Sequence, residues 1–557
     1  MATVGGSETR SAEDEPPEAL ASAPMDETAA STPAIHDAKG ASRGVMGKDD
    51  VDAPENAMPV DAMPDVPWMR QKTTIAITTM VALLAVPHLV PGLIRLRIGR
   101  LPWEAPAVTV LENPDSPTVA VAAVTASAGE TSLKASGNQG TITNALPESK
   151  GDKLELDPTA LAKTAGSLAV DDPTGHALDA FYKHLAATAK KEPGAVTRIL
   201  HYGDSVITSD YISGTLRRRL QARYGDSGHG YILVANPWEW YFHNDVVHYA
   251  GEGWNANRIT GPFTNDKMYG LGGVTFHGAP GAVATFGAME KGDYGRAVSR
   301  FDVYYLAQPQ GGDFEVKSGD KSERVSTKSD TKASKVFSFS VEDGPRKMQL
   351  RSVGGGDVRL FGVALERDLP GITYDALGAN GAQSLLWEPM DDPHWKDQMA
   401  LRKPALVVLQ FGTNESEASV FSEKSYEKTV THVLQKVIAA AEGASVMLAA
   451  PLDRAEHEGG ALHTKKIIPK IVASQKKVAL ANGCAFWNTY EAMGGEGTMA
   501  RWVRAKPQLA SGDLTHPTPA GAEVIGELFE KALVTGFEAY QSRQSRDASD
   551  KSTDGGK

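Results

Sequence analysis

The sequence predicts an α/β protein, a three-layer α/β/α domain on a doubly wound, mostly parallel sheet that is interrupted by an inserted β-sandwich. Three observations lead there. Apolar runs alternate with amphipathic stretches through residues 176–269 and again through 367–540, the rhythm of buried strands joined by crossover helices. Residues 270–366 instead carry short alternating runs broken by Gly, Asp and Ser, the texture of antiparallel strands and turns. The chain is 557 residues long, beyond the ~250 residues that usually bound one domain.

The elements follow in order. Residues 1–70 are rich in Ala, Pro, Glu, Asp and Ser without apolar periodicity, so a disordered tail is expected. Thr73–Ile94 holds no Asp, Glu, Lys or Arg. About 20 such residues cross a bilayer, and Pro87 and Pro91 are tolerated in a membrane helix, so this stretch is expected to span once. Arg70 and Lys72 precede it and Arg95, Arg97 and Arg100 follow it, a bias too small to set orientation. Residues 104–165, rich in Ala, Thr, Ser and Gly, are expected as a disordered linker, and 541–557 as a disordered tail.

The folded part opens with an amphipathic helix at Leu178–Leu185, a strand at Val196–Tyr202 and a helix at Tyr211–Tyr224. Within 270–366, strands are expected at Gly273–His277, Phe301–Leu306, Phe314–Lys317, Val336–Val341 and Val358–Val363. The α/β rhythm then resumes with a short strand near Ile372–Tyr374 and strands at Ala405–Phe411, Ala444–Ala450 and Cys484–Trp487. Helices are expected at Tyr426–Ala441, Lys465–Ala481 and Pro519–Tyr540, the last with proline suitably in its first turn.

A formal charge of −12 argues against a nucleic-acid partner, which needs a basic surface. The lone Cys484 cannot form an internal disulfide. No His/Cys/Asp cluster has metal-ligand spacing and no glycine loop has phosphate-binding form, so neither metal nor cofactor is expected.

Chemistry concentrates in four segments. Gly203-Asp204-Ser205 ends the Val196 strand and precedes a helix, where a serine hydroxyl is exposed beside free helix N-terminal N–H groups. The same tripeptide recurs at Gly225-Asp226-Ser227, but after a helix, where it reads as a C-cap and turn. Asn414 follows the Ala405 strand; it can donate two amide hydrogens to a developing oxyanion or simply form an Asx-turn. Gly381, and Gly378 three residues before it, sit where a backbone N–H can approach a substrate. Asp513 and His516 precede the final helix, at a spacing that lets a carboxylate orient an imidazole. Trp238, Trp240, Tyr241 and Trp254 lie between the serine and the insert; they suit either sugar stacking or packing of the junction.

Taken together and in this order, the four segments resemble the SGNH (GDSL-like) hydrolase superfamily over residues 176–540. The resemblance implies Ser205 as nucleophile, Asp513 and His516 as orienter and general base, and an oxyanion hole of the Ser205 and Gly381 N–H groups with the Asn414 side chain. The sandwich between the Ser and Gly segments makes the chain similar to bacterial peptidoglycan O-acetylesterases, whose insert resembles a carbohydrate-binding module. The implied protein is a serine esterase anchored in the bacterial inner membrane by one helix. Its catalytic part would be periplasmic and would remove O-acyl groups, acetyl foremost, from an acylated cell-envelope polysaccharide. A lipase or thioesterase, or an inactive anchored carbohydrate-binding protein, is the alternative.

Overall fold

The structure, a computed structural model, describes residues 169–554, with side chains through Asp547. The expected tail 1–70, membrane helix 73–94 and linker 104–165 fall outside the described residues. Among those described, no helix is long and apolar enough to cross a membrane.

The central sheet has five parallel strands: β1 (Val196–Gly203), β2 (Gly371–Gly378), β3 (Leu406–Gln410), β4 (Ser445–Ala449) and β5 (Ala485–Trp487). Their spatial order is β2-β1-β3-β4-β5, so the connection direction reverses between β1 and β3. In open α/β sheets, ligands bind at that switch point, outside the C-terminal strand ends.

Six longer helices accompany the sheet: α1 (Asp179–Ala189), α2 (Tyr211–Tyr224), α3 (Asp392–Arg402), α4 (Glu423–Ala440), α5 (Ile468–Ala481) and α6 (Pro519–Asp554). Strand side chains alternate between two cores, as the two-residue period requires. Ile199, Leu406, Val408 and Met447 pack with Leu185, Leu216 and Phe529 of α1, α2 and α6. Leu200, Val407, Leu409 and Leu448 face the other way, into the core holding Trp395, Leu434 and Ile471 of α3, α4 and α5. The sheet is therefore sandwiched between helical layers.

Two of the longer helices differ from the sequence expectation. Helix α3 was not anticipated, because its sequence is mostly polar; its start is nonetheless signalled by Asp391, which accepts the His394 N–H at 2.9 Å, and by a proline in the first turn. Helix α6 continues past Tyr540 to Asp554. Arg543 helps to hold this extension, pairing with Asp179 of α1 at 2.5 Å.

The strands between Gly230 and Glu366 form two antiparallel sheets. One runs in the order 333–344, 298–307, 358–366, 274–278 and 254–258, with Gly230–Leu233 also paired to 358–366. The second runs 247–250, 283–287, 347–354, 313–318 and 321–326. They pack face to face, with the rings of Tyr305 and Phe314 5.5 Å apart and those of Phe314 and Phe337 6.3 Å apart. Val247–Ala250 and Trp254–Arg258 join these sheets from before position 270; their short, polar sequences carry little alternation.

Strand Val358–Glu366 is buried along its whole length. Its one ring, Phe361, meets His394 of α3 edge-on at 5.2 Å. At its end Glu366, 1 % exposed, receives Arg198 of β1 through two 2.8 Å hydrogen bonds, Arg300 of the neighbouring strand, and Arg402 of α3. Arg402 also grips Asp375 of β2 at 2.6 and 2.7 Å. Burial alone would raise the Glu366 pKa, but Arg402 and Arg198 hold it well below the usual carboxylate range. Removing one partner from a buried ion cluster leaves uncompensated charge and costs about 3–5 kcal/mol. Glu366→Ala is therefore expected to lower the unfolding free energy by about that amount, read from urea melts of the folded region. A change below ~1 kcal/mol, the range of surface ion pairs, would contradict the role given to this cluster.

Candidate active site

The C-terminal ends of β1, β2 and β3 are in register, with Gly203 beside Gly378 and Gln410. After Gly203 the chain turns at Asp204, which is buried and caps the one-turn helix Ser205–Thr208 by accepting the Val206 N–H at 3.1 Å. Burial raises the Asp204 pKa, against hydrogen bonds from Thr413 and Val206. Two glycines make this turn possible. A Cβ on Gly203 would lie 2.4 Å from Ile207 Cγ1, and one on Gly378 would lie 2.2 Å from the Thr208 backbone nitrogen. Gly378 is thus the surface on which the Ser205 helix rests.

Ser205 Oγ lies 2.7 Å from His516 Nε2. His516 Nδ1 lies 2.7 Å from Asp513 Oδ2, while Asp513 Oδ1 accepts the N–H groups of Thr515 at 2.9 Å and His516 at 3.0 Å. The loop closes through Ser511 N–H to the His516 carbonyl at 2.8 Å, with Leu514 in the left-handed region at φ +62°. Burial would raise the Asp513 pKa, but the hydrogen bonds from the His516 ring, His516 N–H and Thr515 N–H bring it down to about 2. The His516 side chain is 39 % exposed, so the serine–imidazole pair is open to solvent. A serine hydroxyl hydrogen-bonded to an oriented imidazole can act as a nucleophile.

Gly381 lies on the exposed loop after β2 at φ +73°. Among the described residues, neither its N–H nor that of Ser205 has an acceptor. Asn414, after β3, donates one Nδ2 hydrogen to the Ala382 carbonyl at 2.8 Å, which leaves the second free. Gln383 Nε2 returns a bond to the Asn414 carbonyl at 3.3 Å. Three donors to an anion thus stand on loops leaving β1, β2 and β3.

Two residues that sequence reasoning missed join these loops. Glu415, buried beside Asn414, accepts Ser384 N–H at 2.9 Å and Ser384 Oγ–H at 3.1 Å on one oxygen, and Gly412 N–H at 3.0 Å on the other. Burial pushes its pKa up to about 7 despite these bonds. Arg454 donates to Thr515 Oγ1 at 2.9 Å, to the Thr413 carbonyl at 3.1 Å and to Ser416 Oγ at 2.9 Å, tying the imidazole loop to the Asn414 loop. A charged residue next to Asn414 was the available signal for Glu415; its burial was not legible.

The second Gly-Asp-Ser has another use. Ser227 is fully buried and its hydroxyl donates to the Leu369 carbonyl, after Gly225 ends α2 at φ +106°. The aromatic group divides as well. Tyr241 is buried and Trp238 and Trp254 pack against the core, whereas Trp240 is 63 % exposed.

Among the described residues, Asp210, His229 and His243 bring possible ligand atoms within 4.8 Å of one another. These atoms are largely committed elsewhere. Asp210 takes Arg217 at 3.1 and 2.8 Å and Asn244 N–H at 2.9 Å, His229 Nε2 meets His243 Nδ1 at 3.0 Å, and His243 Nε2 meets the Tyr241 hydroxyl at 2.7 Å. The Arg217 guanidinium would repel a cation, so the donor set does not fit a metal. The network instead anchors the 236–245 loop, whose Phe242 N–H donates to the Thr208 carbonyl at 3.1 Å.

Residues 341–524 match the GDSL-like Lipase/Acylhydrolase family, a span that includes Gly381, Asn414, Asp513 and His516. The α/β domain is thus similar to SGNH-type ester hydrolases. Among solved structures, a peptidoglycan O-acetylesterase is similar at 22 % identity and a TM-score of 0.57, covering 66 % of this chain and 99 % of that one. A family two carbohydrate esterase from Cellvibrio japonicus aligns at 10 % identity and a TM-score of 0.23, covering 53 % and 98 %, too distant to carry an argument. No curated protein sequence matches the chain. The family match begins inside the last strands of the sandwich, so the insert separates Ser205 from the stretch of SGNH sequence that matches.

With its folded pKa near 2, below its ordinary value of 3.8, Asp513 contributes stability above about pH 4 that is lost as pH falls through about 2. Between pH 5 and 9 it stays ionised. Asp513→Asn is therefore expected to lower kcat by a nearly constant factor across that window, on the order of 10⁴ by analogy with other triads. A loss confined to the acid end of the pH profile would contradict this.

Proposed function

We propose that the protein removes O-acyl groups, acetyl above all, from a cell-envelope polysaccharide such as peptidoglycan. The observation that carries the chemistry is the Ser205–His516–Asp513 chain, with both links at 2.7 Å. Ser205 Oγ attacks the ester carbonyl carbon as its proton passes to His516 Nε2. The oxyanion receives the N–H groups of Ser205 and Gly381 and the Asn414 amide. His516 then protonates the departing sugar oxygen, leaving acyl-Ser205, and deprotonates the water that releases the carboxylate.

The substrate class is supported by the fold shared with a peptidoglycan O-acetylesterase over 99 % of that chain and by exposed Trp240, whose ring face suits a pyranose. The apolar stretch Thr73–Ile94 supports a single-pass anchor in a bacterial inner membrane with the catalytic part in the periplasm, where such a polysaccharide lies.

Ser205→Ala is expected to abolish both acetate release from O-acetylated peptidoglycan and labelling by a fluorophosphonate, while Ser227→Ala keeps its labelling. Asn414→Ala should retain folding and lose ~10²–10³ in kcat, the usual effect of deleting one oxyanion donor. Labelling that persists without Ser205 would overturn the nucleophile. Acetate release from small esters but from no envelope polymer would overturn the substrate. For the anchor, an alkaline phosphatase fused after residue 120 should be active and a cytoplasmic reporter silent; the reverse would exclude a periplasmic site.

A further inference from the structure

We propose that Glu415 is a positioning residue of the oxyanion site, a buried carboxylate that holds the Gly381 and Asn414 loops at a fixed separation. This role rests on the esterase reading above and adds a residue to it. The donors assigned to the oxyanion leave two different strands, β2 and β3, and the sheet does not govern their spacing beyond the strand ends. Such donors must be held to within about 0.5 Å.

The two loops are joined by few contacts. Asn414 Nδ2 reaches Ala382 and Gln383 reaches the Asn414 carbonyl, both through neutral amides. Glu415 supplies the charged link. One oxygen holds Ser384 N–H and Oγ–H on the Gly381 loop, and the other holds Gly412 N–H on its own loop. Charge-assisted bonds of this kind are roughly twice as strong as neutral ones. Glu415 is only 7 % exposed and, among the described residues, its carboxyl oxygens meet only these donors; burial, with the Asp204 carboxylate nearby, raises its pKa to about 7, so the ionised form that accepts from both loops predominates above neutral pH. A carboxylate serves here because it can accept from both loops at once. A glutamine has one oxygen and one amide nitrogen, so one loop would meet a donor facing a donor.

The structure places Glu415 behind Asn414 in the chain, bonding to backbone and to Ser384 rather than to the serine–imidazole pair. Its removal should therefore weaken oxyanion stabilisation without touching proton transfer. A displacement of about 1 Å can cost ~10²-fold in rate.

The test compares wild type, Glu415→Gln, Asn414→Ala and the double variant on 4-nitrophenyl acetate. Glu415→Gln is expected to lower kcat about 10- to 10²-fold, with KM changed less than about twofold and the protein still folded. In the Asn414→Ala background the same change should cost clearly less than in wild type, because one of the two donors it positions is already gone. Ser384→Ala removes a single donor to the same carboxylate; it should give a smaller kcat loss, about threefold, and serves if Glu415→Gln does not fold. Wild-type kcat in Glu415→Gln or Ser384→Ala, or full multiplicative loss in the double variant, would overturn the positioning role alone. A wild-type protein that neither hydrolyses the ester nor takes up a fluorophosphonate would overturn the esterase reading and this role with it.

Discussion

Glu366 is the carboxylate on which the assembly of the two domains turns. The sandwich enters the α/β domain after β1 and α2 and leaves it just before β2, so the segments carrying Ser205 and Gly381 are separated by a whole domain. For β1 and β2 to lie side by side, the returning chain must be set in one register. Glu366, the last residue of the sandwich, does this by gathering Arg198 from β1, Arg402 from α3 and Arg300 from the sandwich itself, and Arg402 extends the link to Asp375 on β2. A one-residue slip would reverse the facing of every β2 side chain and break these bonds.

From that register the site follows with little freedom. Gly203 and Gly378 lie opposite each other, and each lacks a side chain because the Ser205 helix passes too close for a Cβ. The sheet ends thus fix the serine, whereas the partners reach it on loops. The loops are then fixed by polar links rather than by the sheet: Glu415 between the β2 and β3 loops, and Arg454 between the β3 loop and the imidazole loop. Apolar contacts build the layers, and buried polar contacts set the distances at their edge.

This division explains what the sequence made legible. The five central strands and most of the helices beside them announce themselves through period and composition, because each buries a face large enough to dictate residue type. The serine, glycine, asparagine and aspartate–histidine segments stand out because each follows a strand or precedes the last helix. Less was legible where burial does not control sequence. Strand Lys321–Ser326 is largely exposed at a sheet edge and carries no apolar alternation. Helix α3 buries Trp395 and Met399 within an otherwise polar sequence. Glu366, Glu415 and Arg454 carry no local mark of their roles, since nothing nearby in the sequence signals that a charge will meet partners tens or hundreds of positions away.

The two Gly-Asp-Ser tripeptides isolate the effect of context. In both, the glycine allows a close backbone approach and the aspartate accepts a neighbouring backbone N–H: Val206 in one case, Gly228 in the other. After β1, the serine begins a helix, its N–H has no acceptor in the preceding chain, and its hydroxyl projects beyond the sheet to His516. After α2, the serine lies beneath the Arg367–Gly371 turn and spends its hydroxyl on Leu369. Its N–H and carbonyl are also taken, by Ile372 and Arg367. The second serine is therefore part of the packing that supports β2, and β2 in turn supports the first. What separates the proposed nucleophile from the structural serine is whether the preceding element leaves the backbone N–H unpaired and the hydroxyl within reach of the imidazole, and a parallel strand ending at a switch point does so where a helix C-terminus does not.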